Sequence, residues 1–118
     1  MDLPTDSRSL AALYRVATLA GSHEEPRTIM RTILQVVIHA VGGVSGDVSL
    51  VNPDSGKLEV ELANSLDGPV DDDLSMRLGQ GITGWVAFHG RPQLVNDVSK
   101  DPRYVKLREH VRSEMVAP

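Results

Sequence analysis

The chain contains no cysteine. That absence removes disulfides, thiolate nucleophiles, cysteine-ligated metal sites and thioether-anchored chromophores together, and it suits a reducing compartment. Positive charge is also in short supply: 12 basic residues stand against 16 acidic ones, for a net charge of -4, and Lys and Arg are scattered rather than massed. Nothing in that pattern grips a phosphate backbone, so no direct nucleic-acid partner is expected. Long apolar runs are missing too, none approaching the roughly 18 residues a bilayer span requires. The polar start MDLPTDSRS is not a signal peptide. These absences predict a soluble, cytoplasmic protein that does not touch membranes. What is present is 41% apolar residues in 118, enough for one core that buries about two thirds of the unfolded surface. Residues 1–8 read as a polar tail and 9–118 as a single domain.

The apolar pattern starts with a period near 3.6. SLAALYRVATLA, from Ser9 to Ala20, predicts a helix whose apolar arc takes in Leu10, Leu13, Tyr14, Val16, Ala17, Leu19 and Ala20, with Arg15 and Thr18 on the remainder. An arc that broad exceeds one packing surface, and a second copy of the chain is its natural partner, giving a homodimer through the N-terminal helix. After GSHEEP a second helix is expected to about Val41, with Glu24, Glu25 and Pro26 where a first turn favours them. Its polar stripe, Thr28, Arg31, Thr32, Gln35 and His39, is narrow, so most of it should be buried.

Beyond the glycines at 42 and 43 the period drops to 2. DVSLV, the turn NPDSG and KLEVELA predict a β-hairpin in which Leu58, Val60 and Leu62 face the core and Glu59 and Glu61 face water. LSMRL reads as a third strand, ITGWVAFH as a short helix closed by Gly90, and PQLV as a short strand. DPRYVKLREH reads as a further helix, with Asp101 as N-cap and Pro102 at its first position. A last strand starts near Glu114.

GQGITG, from Gly79 to Gly84, spells G-x-G-x-x-G, the fingerprint of a turn that cradles a dinucleotide pyrophosphate, and Asp97 and Asp101 follow about 20 residues on. A dinucleotide fold needs a near-continuously apolar parallel strand before the glycines and a long helix after them. Here the strand alternates Leu74, Met76 and Leu78 with Ser75 and Arg77, and the helix stops at His89. The plainer reading is that Gly79 and Gly81 permit a tight strand-to-helix turn and Gly84 allows close packing.

Asp71, Asp72 and Asp73 adjoin one another on a loop and do not give a ring of spaced oxygens. His23, His39, His89 and His110 show no metal-ligand spacing, and the last three suit helix C-termini. No Ser/His/Asp set or spaced carboxylate pair stands out, so neither a catalytic residue nor a metal site is named. Asp97 serves equally well as a ligand's hydrogen-bond acceptor or as a clasp for its own loop.

The stretch LGQGITGWVAFHGRPQLVNDVSKDPRY resembles the signature of GAF domains, the small-molecule-sensing modules of signalling proteins. The two N-terminal helices, the hairpin and the ending SEMVAP fit in the same order. The resemblance implies an α+β fold: a GAF-like (profilin-like) antiparallel sheet with helices on both faces, and a ligand pocket between the sheet and the 82–110 segment. The positions it would carry over to a ligand are Gly81, Ile82, Thr83, Gly84, Trp85, Asp97 and Tyr104. Family members take cyclic nucleotides, bilins, haem or small acids, and many dimerise through terminal helices. This chain has no cysteine to anchor a bilin or to reduce methionine sulfoxide. With Phe88 its only phenylalanine, it also lacks the Asn-Lys-Phe-Asp-Glu set of cyclic-nucleotide-binding members. No cofactor is therefore named. A complete member would continue past Pro118 with two more strands and a C-terminal helix, so the resemblance implies a fragment of a longer signalling protein, or a strand supplied by another copy. The expected role is a non-catalytic sensor or regulator of an output domain. A ligand-free dimerisation module is the alternative.

Overall fold

The computed structural model describes residues 6–65, 75–77, 79–105 and 111–118, with the backbone alone at 60–65 and 75–77. Those residues form three helices, α1 (Ser7–Ala20), α2 (Pro26–Val41) and α3 (Gly81–His89), and five strands, β1 (Ser45–Val51), β2 (Lys57–Ser65), β3 (Ser75–Arg77), β4 (Gln93–Val95) and β5 (Glu114–Val116). A 3-10 turn covers Val98–Lys100. The mixture of helices with antiparallel ladders is the α+β class the sequence predicts. The chain divides into two compact units, residues 1–48 with 61–72 and residues 49–60 with 73–118.

In the first unit α1 and α2 form a helical hairpin. Asp6 caps α1 by accepting from Ser9 N–H at 2.8 Å, so the helix starts two residues ahead of the sequence expectation. Glu25 is the N-cap of α2 rather than a member of its first turn, taking the N–H groups of Arg27 and Thr28 at 3.0 Å each, with Pro26 at the first helical position. Gly42, in the left-handed region at φ 68°, ends α2, and Gly43 N–H reaches back to the Ile38 carbonyl at 2.9 Å. Leu34 and Ile38 are the buried centre of this unit, with Met30 and Val48 packed against them. Gly46 on β1 lets that packing close: a Cβ there would stand 3.1 Å from the Leu34 and Ile38 Cδ1 atoms. The expectation that α2 is largely buried needs correction, because Val37 and Val41 are 42% and 52% exposed. Its apolar positions span more than one face, and only the face holding Leu34 and Ile38 meets this core. None of the α1 side chains is buried, and Leu10, Leu13 and Tyr14 stand exposed on it.

The sheet order is β1-β2-β3, with β2 antiparallel to β3 and Leu58 opposite Met76. The hairpin turn is built around Asn52, whose Oδ1 accepts from the N–H groups of Asp54 and Ser55, while Gly56 takes φ 68° and donates its N–H to the Asn52 carbonyl. Leu58 is buried and Glu59 exposed, as the alternation predicts; the side chains of Val60, Glu61 and Leu62 lie outside the described residues. In the second unit β4 and β5 pair antiparallel, with Leu94 opposite Met115. The core of this unit includes Ile82 and Val86, each 1% exposed, with Val98 and Leu58.

Candidate functional site

The glycine corner is a strand-to-helix turn. Gly79 and Gly81 take φ 83° and 68°, conformations that cost a side-chain-bearing residue, and the Gly79 N–H donates to the Gly84 carbonyl at 2.8 Å. The strand ahead of it is antiparallel and the helix behind it has nine residues, so the dinucleotide architecture is absent. Gln80, the N-cap, makes no side-chain capping bond. Gly81, Ile82 and Gly84 are buried, Thr83 and Trp85 half-buried, and the helix closes at Gly90 in the left-handed region, φ 66°. Burial of Ile82 anchors α3, leaving its Trp85 edge for contact.

Trp85 is the centre of a polar-aromatic cluster that the sequence did not reveal. His89 stacks on it at 4.0 Å between centroids, with its Nδ1–H donating to the Trp85 carbonyl at 2.8 Å, and Phe88 meets His89 edge-on. The Arg103 guanidinium lies 4.8 Å from the Trp85 ring centroid. Arg103 donates to both Asp101 oxygens, at 3.0 Å from Nε and 2.7 Å from Nη2, and to Gln93 Oε1 at 3.2 Å. The Asp101 carboxyl also accepts from the Arg103 backbone N–H at 2.9 Å. The side-chain bonds from Arg103, with the backbone bond second, hold Asp101 down from 3.8 to about 2. In turn Asp101 pushes the guanidinium still higher. The cluster therefore presents a fixed, charge-balanced edge beside an indole rather than a bare cation.

One sequence expectation is corrected in this segment. Asp101 does not start a helix: it closes the 3-10 turn, with its N–H bonded to the Val98 carbonyl, and its side chain folds onto Arg103. An Asp-Pro start signal serves a helix cap and an Asx turn alike, and here the ion pair with Arg103 selects the turn. Residues 102–105 are not helical, and His110, with the rest of the expected helix, lies outside the described residues, as do Asp71, Asp72 and Asp73. Asp97 clasps its own loop in the structure. Its Oδ1 accepts from Ser99 N–H and Ser99 Oγ–H, and Lys100 Nζ stands 3.9 Å from Oδ2. Tyr104 is half-buried, its N–H on the Asp101 carbonyl at 3.1 Å. The expected positions thus separate into α3 (Gly81, Ile82, Thr83, Gly84, Trp85), the Asp101–Tyr104 turn tied to Trp85 through Arg103, and Asp97, which is bonded within its own loop. The Asp-Pro-Arg string was the visible signal for Arg103, since an aspartate that closes an Asx turn leaves the residue two further on within its reach.

Among the described residues no group of three His, Asp or Glu side chains could hold a metal ion. Ser99 is bonded to Asp97, and the His89 ring is occupied with Trp85. No described helix is long and apolar enough to cross a membrane.

No family model matches the chain. The Nif-specific regulatory protein of Azospirillum brasilense is 27% identical over 101 residues, which cover 86% of this chain but 16% of that relative. Among solved structures, the free methionine-R-sulfoxide reductase of Neisseria meningitidis superposes with a TM-score of 0.77 at 20% identity, over 100% of this chain and 70% of that one. The GAF domain of an Acinetobacter phosphoenolpyruvate-protein phosphotransferase superposes with a TM-score of 0.76 at 17% identity, over 94% of this chain and 68% of that one. With a short helix launched from a glycine corner, a hairpin sheet and two leading helices in the same order, the chain has the fold of a GAF domain.

Proposed function

We propose that the chain is a non-catalytic sensory or regulatory module of a cytoplasmic signalling protein or transcriptional regulator. In this reading it binds a small molecule at the Trp85 edge of α3, dimerises through α1, and controls an output domain elsewhere in the protein. The observation that carries the reading is the GAF fold joined to an α1 whose Leu10, Leu13 and Tyr14 are 49%, 51% and 75% exposed, an apolar stripe suited to a second copy. Likeness to the sulfoxide reductase brings the fold without the thiol, since the chain has no cysteine. Similarity to a Nif-specific regulatory protein favours a transcriptional setting.

A sensor of this kind works only if ligand binds one helix arrangement better than the other, for equal binding to both transmits nothing. A thermal-shift screen with nucleotides and small organic acids, run beside sedimentation, tests the reading, because a ligand that binds only the native state raises the melting midpoint. A midpoint rise that Trp85→Ala abolishes supports it. A chain that dimerises yet responds to nothing supports the second reading, a ligand-free dimerisation module. That reading draws on the fact that Asp101 and Gln93 already occupy the Nε and Nη2 donors of Arg103.

A further inference from the structure

The first unit holds a concavity of about 320 Å³, lined by Arg8, Ala11, Ala12 and Arg15 from α1 and by Thr32, Gln35, Val36, His39 and Ala40 from α2. None of these belongs to the α3 set, and the lining includes no acidic residue. Its shape follows from the sequence. Positions 8, 11, 12 and 15 form one stripe of α1, positions 32, 35, 36, 39 and 40 one stripe of α2, and alanines at 11, 12 and 40 leave a groove where larger side chains would interdigitate. The floor is apolar and the ends are polar.

The polar groups are not equivalent. Arg8 donates through Nη2 to the His39 carbonyl, one of the last carbonyls of α2, which ties that end of the groove. Thr32 Oγ1 donates to the Thr28 carbonyl at 3.0 Å. Arg15, two helical turns along the stripe from Arg8 and about 10 Å along the axis, has no hydrogen-bond or ion-pair partner among the described residues, and neither does the Gln35 amide. The groove therefore holds two guanidinium groups with no carboxylate partner among the described residues, Arg8 tied to a carbonyl and Arg15 with its fork free, and one amide donor at the margin of an alanine and valine floor, in a chain whose net charge is negative.

We infer that this groove binds a small aliphatic carboxylate, whose two oxygens accept from the fork of Arg15 and whose hydrocarbon part lies on Ala11, Ala12, Val36 and Ala40. The free fork of Arg15 matches a carboxylate in geometry, while the Arg8 guanidinium, held on the His39 carbonyl, adds positive potential at the other end of the groove. The volume lies at the small end of the range for ligand sites, so the occupant is a short acid rather than a nucleotide. Because α1 and α2 form its two walls, occupation bears directly on how the helices pack.

Hexanoate is the probe, with hexanol as its uncharged counterpart, followed by amide chemical shifts of the isotopically labelled chain. Hexanoate is expected to shift the amides of Ala11, Ala12, Gln35 and Ala40 saturably in the millimolar range, with hexanol and the Arg15→Met variant each at least tenfold weaker. Arg15 is exposed, so its replacement keeps the fold. Ala12→Leu, which fills the floor, should abolish the shifts while Arg15 stays in place. Shifts that do not saturate, that survive both substitutions, or that gather at Gly81–Trp85 would overturn the inference. The same holds if Arg15→Met weakens self-association in sedimentation and leaves the hexanoate shifts unchanged, since the groove would then seat a protein partner.

Discussion

Arg103 lies over the indole of Trp85 while its fork holds both oxygens of Asp101, so one guanidinium joins the α3 helix to the turn that follows the 3-10 segment. The sign of the resulting acid dependence is fixed. The Asp101 carboxyl is held at about 2 in the folded chain against an ordinary 3.8. Its contribution to stability is therefore complete above about pH 4 and is lost as the pH falls toward 2. Trp85 is the only tryptophan and reports the contact directly. Its emission should change across that acid window in the parent chain, and Asp101→Asn should flatten the change. An unaltered acid profile in the variant would contradict the role given to this pair.

The corner at 79–84 depends on backbone conformation rather than on space. Nothing within 4 Å would meet a Cβ at Gly79, yet its φ is 83°. Gly79→Ala is expected to cost about 1–2 kcal/mol from the left-handed conformation alone, and Gly79→Asn less. Urea unfolding of the two variants measures the difference, and equal stabilities would remove the conformational explanation.

Burial separates the two ends of α3. Ile82 is 1% exposed and Phe88 67%. Ile82→Ala should lose about 2–5 kcal/mol, with no more than about 0.5 kcal/mol for Phe88→Ala. Equilibrium denaturation checks both; a large loss at Phe88 would mean that its face is covered in solution.

Gly46 presses on Leu34 and Ile38 closely enough that Gly46→Val should overpack the site by about 1–3 kcal/mol. Combined with Leu34→Ala, whose cavity gives the new methyls room, the double variant should be less destabilised than the two single losses added together. Strict additivity in a denaturation cycle would refute the contact.

The exposed stripe of α1 predicts that Leu13→Asp weakens self-association at least tenfold without lowering the helix signal in circular dichroism. Sedimentation over a concentration series measures the first and circular dichroism the second. A dimer as tight as the parent's would exclude α1 as its surface.

Much of this architecture could be read from residue order because local rules decide it. The period of 3.6 in Ser9–Ala20 and the alternation through Leu58 and Glu59 each describe one face of one element, and the structure keeps both. Gly90 and the glycine corner were legible because left-handed backbone has few tenants. The Arg103 cluster was not legible as a whole. Its members Trp85, Gln93, Asp101 and Arg103 come from α3, β4 and a turn, and no periodicity links them. The non-helical path after Asp101 is not legible in the sequence because Asp-Pro opens two kinds of structure, and only the partner of the carboxylate distinguishes them. The groove between α1 and α2 was not legible because alanines look like ordinary helix formers until two stripes of them face each other.

The five residues from Asn52 to Gly56 need little from elsewhere in the protein. The Asn52 amide oxygen takes two N–H groups, its backbone N–H meets the Lys57 carbonyl at 2.8 Å, and its Nδ2 reaches Glu59 at 3.1 Å. Every partner lies within seven positions along the chain. This segment is placed to form on the microsecond scale of isolated hairpins, ahead of contacts that must wait for distant sequence to arrive. A nascent polypeptide would thus be able to close this turn before the glycine corner had emerged from the ribosome.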